Sequence, residues 1–143
     1  MKNRSSCRLI VFLVAAIAAA GCQSNRKIVP GLIYPSSVAR TSTLDIQVIR
    51  RETKIELTNT TARSFGPSIL WLNGRFSREI DGLAVGQTLV LRLKEFKDQY
   101  GDTFRGGGFF ATERPERLAL AEIQPKDANP PTILGMIVVG GEE

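Results

Sequence analysis

Few side chains in this sequence could carry out chemistry. There is no histidine, and the two cysteines are Cys7 and Cys22. Without an imidazole there is no His general base, no Ser-His-Asp arrangement and no His metal ligand. A Ser–Lys dyad is formally open, and so are carboxylates. Glu95, Asp98 and Asp102 lie close together around Tyr100-Gly101. A calcium loop needs more oxygen ligands at a different spacing, so the expectation there is a solvated acidic turn with no metal. A carboxylate-based hydrolase would need two acids facing each other across a cleft, and no such pair assembles from the sequence. The chain therefore reads as a non-enzyme without cofactors, with a carboxylate hydrolase as the weaker alternative.

The aromatic residues are the other candidates. Trp71 is the only tryptophan. It could offer a stacking platform to a ligand, but large aromatics more often anchor β-sandwich cores. Strict alternation points Trp71 away from Leu70 and Leu72, so one of these two faces must be partly exposed or covered by another segment. Gly106-Gly107-Gly108 precedes Phe109-Phe110. This is no phosphate loop, because neither a Gly-Lys-Ser/Thr nor a helix follows. Two readings stand: a loop tip presenting Phe109 and Phe110 to a partner or to lipid headgroups, or a bulge with both rings turned inward. The second is favoured by the usual meaning of strand glycines. Asn59-Thr60-Thr61 fits a glycosylation sequon, but is read here as a strand end.

The N-terminus is more specific. Met1 to Arg8 is polar and basic, and Leu9 to Ala20 is an unbroken apolar run of 12 residues. That is a signal peptide's charged region followed by its apolar region, too short for a permanent span. The run ends in Ala19-Ala20-Gly21-Cys22, which resembles the lipobox of bacterial lipoproteins, although Ala19 stands where that family most often has Leu. The resemblance implies cleavage between Gly21 and Cys22, a diacylglycerol on the Cys22 sulfur, and often a third chain, such as palmitate, on its amino group. Acyl burial contributes about 0.8 kcal/mol per CH₂, so two or more chains anchor stably where one does not. Gln23 in place of Asp resembles an outer-membrane address, on the periplasmic face.

Lys2, Arg4 and Arg8 belong to the signal, so the remaining 122 residues carry 16 basic and 14 acidic side chains. A net +2 without a clustered basic stripe argues against nucleic acid. The arginines after Cys22 are dispersed and several have acidic neighbours, as on a mixed soluble surface. With Cys22 committed to lipid, the domain keeps neither a thiol nor a disulfide.

Residues 22–43 are read as the lipidated N-terminus and a tether, with Pro30, Gly31 and Pro35 blocking regular structure. Fully extended, residues 23–43 would reach roughly 70 Å. The Ile28-Val29 and Leu32-Ile33-Tyr34 patches are apolar for a pure linker, however, and suit a segment lying along the domain. From residue 44 to 143 the pattern is that of short strands. Leu44, Ile46 and Val48 alternate, as do Ile55 and Leu57, with a turn at Arg50 to Glu52. Ser68 to Leu72 and Arg75 to Ile80 flank Asn73-Gly74, the strongest short hairpin signal. Leu89, Leu91 and Leu93 alternate next. Strands are also expected within Phe104–Ala111, Arg117–Gln124 (a short helix being the alternative) and Ile133–Val139. Seven to eight short strands predict an all-β fold, an antiparallel β-sandwich.

The succession Ile55-Glu56-Leu57-Thr58-Asn59-Thr60, Leu70-Trp71-Leu72 and Leu83-Ala84-Val85-Gly86-Gln87-Thr88-Leu89 resembles immunoglobulin-like and fibronectin type III-like modules of bacterial envelope proteins. The resemblance implies an immunoglobulin-like sandwich. The functional expectation is a membrane-anchored, non-catalytic binding or scaffolding module for another envelope protein. The alternative is a small-ligand or polysaccharide binder using Trp71, Phe109 and Phe110. Cys22→Ser is expected to abolish incorporation of labelled palmitate and leave the unprocessed chain on a gel. Normal cleavage and release as a soluble protein contradicts the lipobox reading.

Overall fold

The computed structural model describes residues 28–140. The expected signal segment, the Gly21–Cys22 junction and the start of the tether lie outside the described residues. Within 28–140 the fold is all-β, with seven strands and one short 3₁₀ turn at Leu93–Glu95. No helix among the described residues is long and apolar enough to cross a membrane.

Local pattern explains the hairpins. β1 (Arg40–Arg51) and β2 (Lys54–Thr58) pair antiparallel about Glu52-Thr53, with Glu52 at positive φ (49°). β1 starts at Arg40, inside the stretch read from sequence as tether. β2 stops at Asn59, whose buried amide donates to the carbonyls of Arg63 and Leu83 and accepts from Thr61. A side chain that serves loop backbone in this way ends a strand. β3 (Ser68–Leu72) and β4 (Phe76–Ile80) flank the Asn73-Gly74 turn. Both turn residues have positive φ (53° and 62°), and the Arg75 amide donates to the Leu72 carbonyl, as a type I′ geometry requires.

β5 (Thr88–Arg92), β6 (Ala121–Pro125) and β7 (Ile133–Val139) complete one sheet of order β4-β3-β6-β7-β1-β2-β5. The antiparallel expectation holds for five of its six neighbouring pairs, whereas β1 and β7 run parallel. The strands form one mixed sheet curled into a half-barrel, not two facing antiparallel sheets. The parallel pair joins strands about ninety residues apart and carries a register shift between Thr43 and Gln47. No turn chemistry announces such a pairing.

The concave face holds the core. Ile46, Val48, Ile55, Leu57, Leu70, Leu72, Leu91, Ile123, Leu134 and Met136 point into it. Each strand reaches it through alternate residues, the period-two rule. At the end where β2 and β4 finish, two connections cross the open side and pair with each other, Phe65 with Leu83. At the opposite end, which we call the upper end, β1, β3, β5 and β7 finish. There Leu93, Phe96, Phe104 and Leu118 close the core, with Phe76 and Phe104 edge to face at 5.2 Å.

Two expected strands differ. Phe104–Ala111 forms no strand, because Gly107 and Gly108 sit at φ 78° and 120°, a conformation glycine reaches without a Cβ penalty and a ladder does not use. Within Arg117–Gln124, only Ala121 onward is a strand, and residues 117–120 are irregular.

Candidate functional site

The outer, convex face carries the polar chemistry. Register lines up one row across five strands: Ser77 opposite Trp71, Trp71 opposite Glu122, Glu122 opposite Gly135, and Gly135 opposite Thr43. Trp71 is 1% exposed and Glu122 is 0% exposed. Neither is buried by the core. Both are covered by the tether, which runs down this face.

The tether enters at the upper end, where Ile28 packs against Gly101 so closely that a Cβ there would collide with it. The Gly31 amide then donates to the Asp98 carbonyl at 2.7 Å, and the Leu32 amide donates to Ser77 Oγ at 2.8 Å. Gly31 is required at this point, because a Cβ would run into the Lys97 carbonyl. Tyr34 follows, its ring edge-on to Trp71 at 5.2 Å, and its hydroxyl donates to Glu122 Oε2 at 3.0 Å. Arg40 completes the cover, with Nε and Nη2 both donating to Glu122 Oε1. Trp71 Nε1 donates to Gln124 Oε1 at 2.9 Å, so its polar edge is also satisfied.

A carboxylate taken out of water costs several kcal/mol unless cations and donors answer it. Here one guanidinium and one phenol do so. Burial raises the Tyr34 phenol above its ordinary pKa; the Arg40 hydrogen bond opposes this and Glu122 adds to it. Hydrogen bonds to Tyr34 and Glu122 hold Arg40 firmly in its charged form.

A second clamp sits where the tether begins. The Asp98 side chain is 1% exposed; its Oδ2 accepts from Nε and Nη2 of Arg75, and its Oδ1 accepts from the amides of Tyr100 and Asp102. Burial works to raise the Asp98 pKa, but Arg75 and the two amides outweigh it and hold the carboxyl below the usual range. The expected solvated acidic turn is therefore corrected at Asp98, which is a buried structural anchor. Asp102 and Glu95 remain more open, with Asp102 near Arg75 and Glu95 paired with Arg78.

Two surface cavities flank Arg75. One, of about 260 Å³, is lined by Leu32, Tyr34, Gly74, Arg75, Asp98 and Tyr100. The other, of about 410 Å³, is lined by Arg75, Arg105, Asp102, Glu113 and Glu116 among others. In the second, Arg105 binds Glu113 at 3.1 Å and Arg75 lies 3.7 Å from Asp102. No group of three or more His, Cys, Asp or Glu among the described residues is arranged to hold a metal ion.

The structure does not bring the sequence-selected aromatics together. Trp71 lies under Tyr34, lines neither cavity and has no free ring face. Phe109 and Phe110 are 95% and 91% exposed, stacked edge to face on each other at 5.0 Å. The favoured inward reading of these phenylalanines is corrected: the three glycines carry the chain away from the sheet instead of bulging within it. Of the residues that do the positioning, Asp98 is marked in the sequence only as part of an acidic turn and Tyr34 only as part of an apolar patch, while Arg40 and Glu122 carry no mark there. Glu122 gives no separate signal, because in Ala121-Glu122-Ile123-Gln124-Pro125 it alternates with Gln124 as on any half-exposed strand.

The clamp predicts an asymmetry. Arg40 is half exposed, so Glu122→Gln releases it to water and costs about 1 kcal/mol or less. Arg40→Met strands a buried carboxylate and costs on the order of 3 kcal/mol. Urea unfolding of the two variants checks this, and equal losses contradict it. No protein-family model, curated protein or solved structure matches this chain in comparisons of its sequence and fold.

Proposed function

We propose that the chain is a lipoprotein of the bacterial envelope, anchored through acyl chains on Cys22 to the periplasmic face of the outer membrane. Its β-domain serves as a non-catalytic module that binds or scaffolds another envelope protein. The lipobox supports the anchor. The buried carboxylates favour binding over catalysis, since Glu122 and Asp98 are both consumed by structural ion pairs. The likeness of the strand motifs to immunoglobulin-like modules belongs to the same reading. A curled sheet wrapped on one core supports it, and the parallel β1–β7 pair departs from it.

One observation carries the binding role. The sheet has two edge strands, and they differ. The β4 edge is occupied, with Ser77 and Lys97 exchanging backbone hydrogen bonds. The β5 edge pairs with no other strand among the described residues. Leu93 donates to Thr53, and Gln87 accepts from Asn59. By alternation, the amides and carbonyls of Thr88, Val90 and Arg92 point away from β2. An exposed row of this kind is a template for strand addition by a partner. The Val90 side chain, 58% exposed, would lie in that contact.

A second reading is a polysaccharide or small-ligand binder. It is supported by the polar cavity between Arg75 and Arg105, without Trp71.

Val90→Pro removes an outward amide and leaves the β2–β5 ladder intact. Affinity capture from detergent-solubilised envelopes should recover a stoichiometric partner with the wild type and lose it with Val90→Pro at unchanged melting temperature. Equal recovery by both contradicts edge binding, and no partner across several detergents contradicts the scaffold role.

A further inference from the structure

Among the described residues Phe109 and Phe110 pack edge to face on each other and are otherwise almost fully exposed, and their position relative to the tether points to what covers them. Ile28 rests on Gly101 at the upper end of the sheet. The loop carrying the phenylalanines leaves the same end: Gly106 packs on Leu93 and Thr53, and Gly108 packs on Thr53, beside the β1–β2 turn. Cys22 is six residues before Ile28, a span of at most about 20 Å. If Cys22 bears the acyl chains, the docked tether keeps Ile28 and the upper end within about 20 Å of the bilayer.

That end is dressed for an interface. Besides Phe109 and Phe110, it exposes Tyr100 at 74% and Ile28 at 71%. Single exposed apolar side chains are ordinary, but adjoining ones mark an interaction surface, and Phe109 and Phe110 adjoin. The nearby charges are mixed, with Arg105, Arg114 and Arg117 against Glu113 and Glu116, and Arg105 is tied to Glu113. A contact made here draws on apolar insertion, with little from attraction to anionic headgroups.

We propose that the 106–114 loop inserts Phe109 and Phe110 into the interface of the bilayer that holds the Cys22 lipid. The inference rests on the lipoprotein reading above. With the acyl chains as one attachment and the phenylalanines as a second, the domain stands in one orientation. The β5 edge, which runs from the lower end to the upper, is then presented at a constant attitude to the membrane.

The test uses the full lipidated protein in vesicles of phosphatidylethanolamine and phosphatidylglycerol. Phe110→Trp adds a reporter, while Trp71 in the parent protein gives the signal of a tryptophan sealed from both water and lipid. Phe110→Trp emission is expected to shift to the blue on reconstitution and to be quenched by brominated acyl chains, at low and high salt alike. Phe109→Ser with Phe110→Ser should still float with vesicles, because the acyl chains remain. Flotation with an unshifted, unquenched reporter overturns the insertion and leaves the anchor standing. A reporter shielded in native envelopes but unquenched by brominated lipid also overturns it, in favour of a protein partner at this loop. Failure of the wild-type protein itself to float overturns the anchor and the insertion together.

Discussion

Glu122 sits on the outer face of a sheet with no surface of its own open to water. A charge in that position is tolerated only if something brings a counter-charge and donors to it, and among the described residues the tether, with Arg40 where it enters β1, does so. Arg40 and Tyr34 answer the carboxylate, and Tyr34 in doing so seals Trp71. The rest of the outer face follows from this. Ser77, Trp71, Glu122, Gly135 and Thr43 share a row because of register, and the row needs a strap. Gly31 and Leu32 fasten the strap's upper part to Asp98 and Ser77, and Arg75 with two backbone amides holds Asp98 in place.

A strap fixed at both ends changes what an N-terminal lipid would do. A free linker lets a domain rotate and wander over tens of ångströms. A docked one is held to the domain from Ile28 onward. If Cys22 is lipidated as proposed, the upper end of the half-barrel, with its exposed phenylalanines, is the end nearest the anchor. The occupied β4 edge and the open β5 edge give the sheet one side available for a partner. On the proposed function, orientation at the membrane and the side offered to a partner would both follow from how the outer face is covered.

Much of the local structure could be read in the sequence. Alternating Leu44, Ile46 and Val48, or Ile55 and Leu57, report period two directly, and Asn73-Gly74 marks its hairpin because few other pairs accept positive φ twice. What could not be read depends on which distant strands become neighbours. The parallel pairing of β1 with β7 has no turn to betray it, so a mixed curled sheet looked like an antiparallel sandwich. Glu122 opposite Trp71 exists only once β6 lies beside β3. Alternation did show that one face at Trp71 and its neighbours is either partly exposed or covered by the tether, and Tyr34 of the Leu32-Ile33-Tyr34 patch is the cover. At Phe109-Phe110 the usual meaning of strand glycines fails because no strand forms there.

Amide hydrogen exchange tests the docked strap most directly. If the tether is clamped as described, the amides of Gly31 and Leu32, which donate to Asp98 and Ser77, exchange only through opening of structure. They are then protected well beyond an unstructured peptide, and Arg40→Met lowers their protection before that of β3 and β6. Exchange of both amides at the rate of an unstructured peptide, with the strands still protected, would contradict the account.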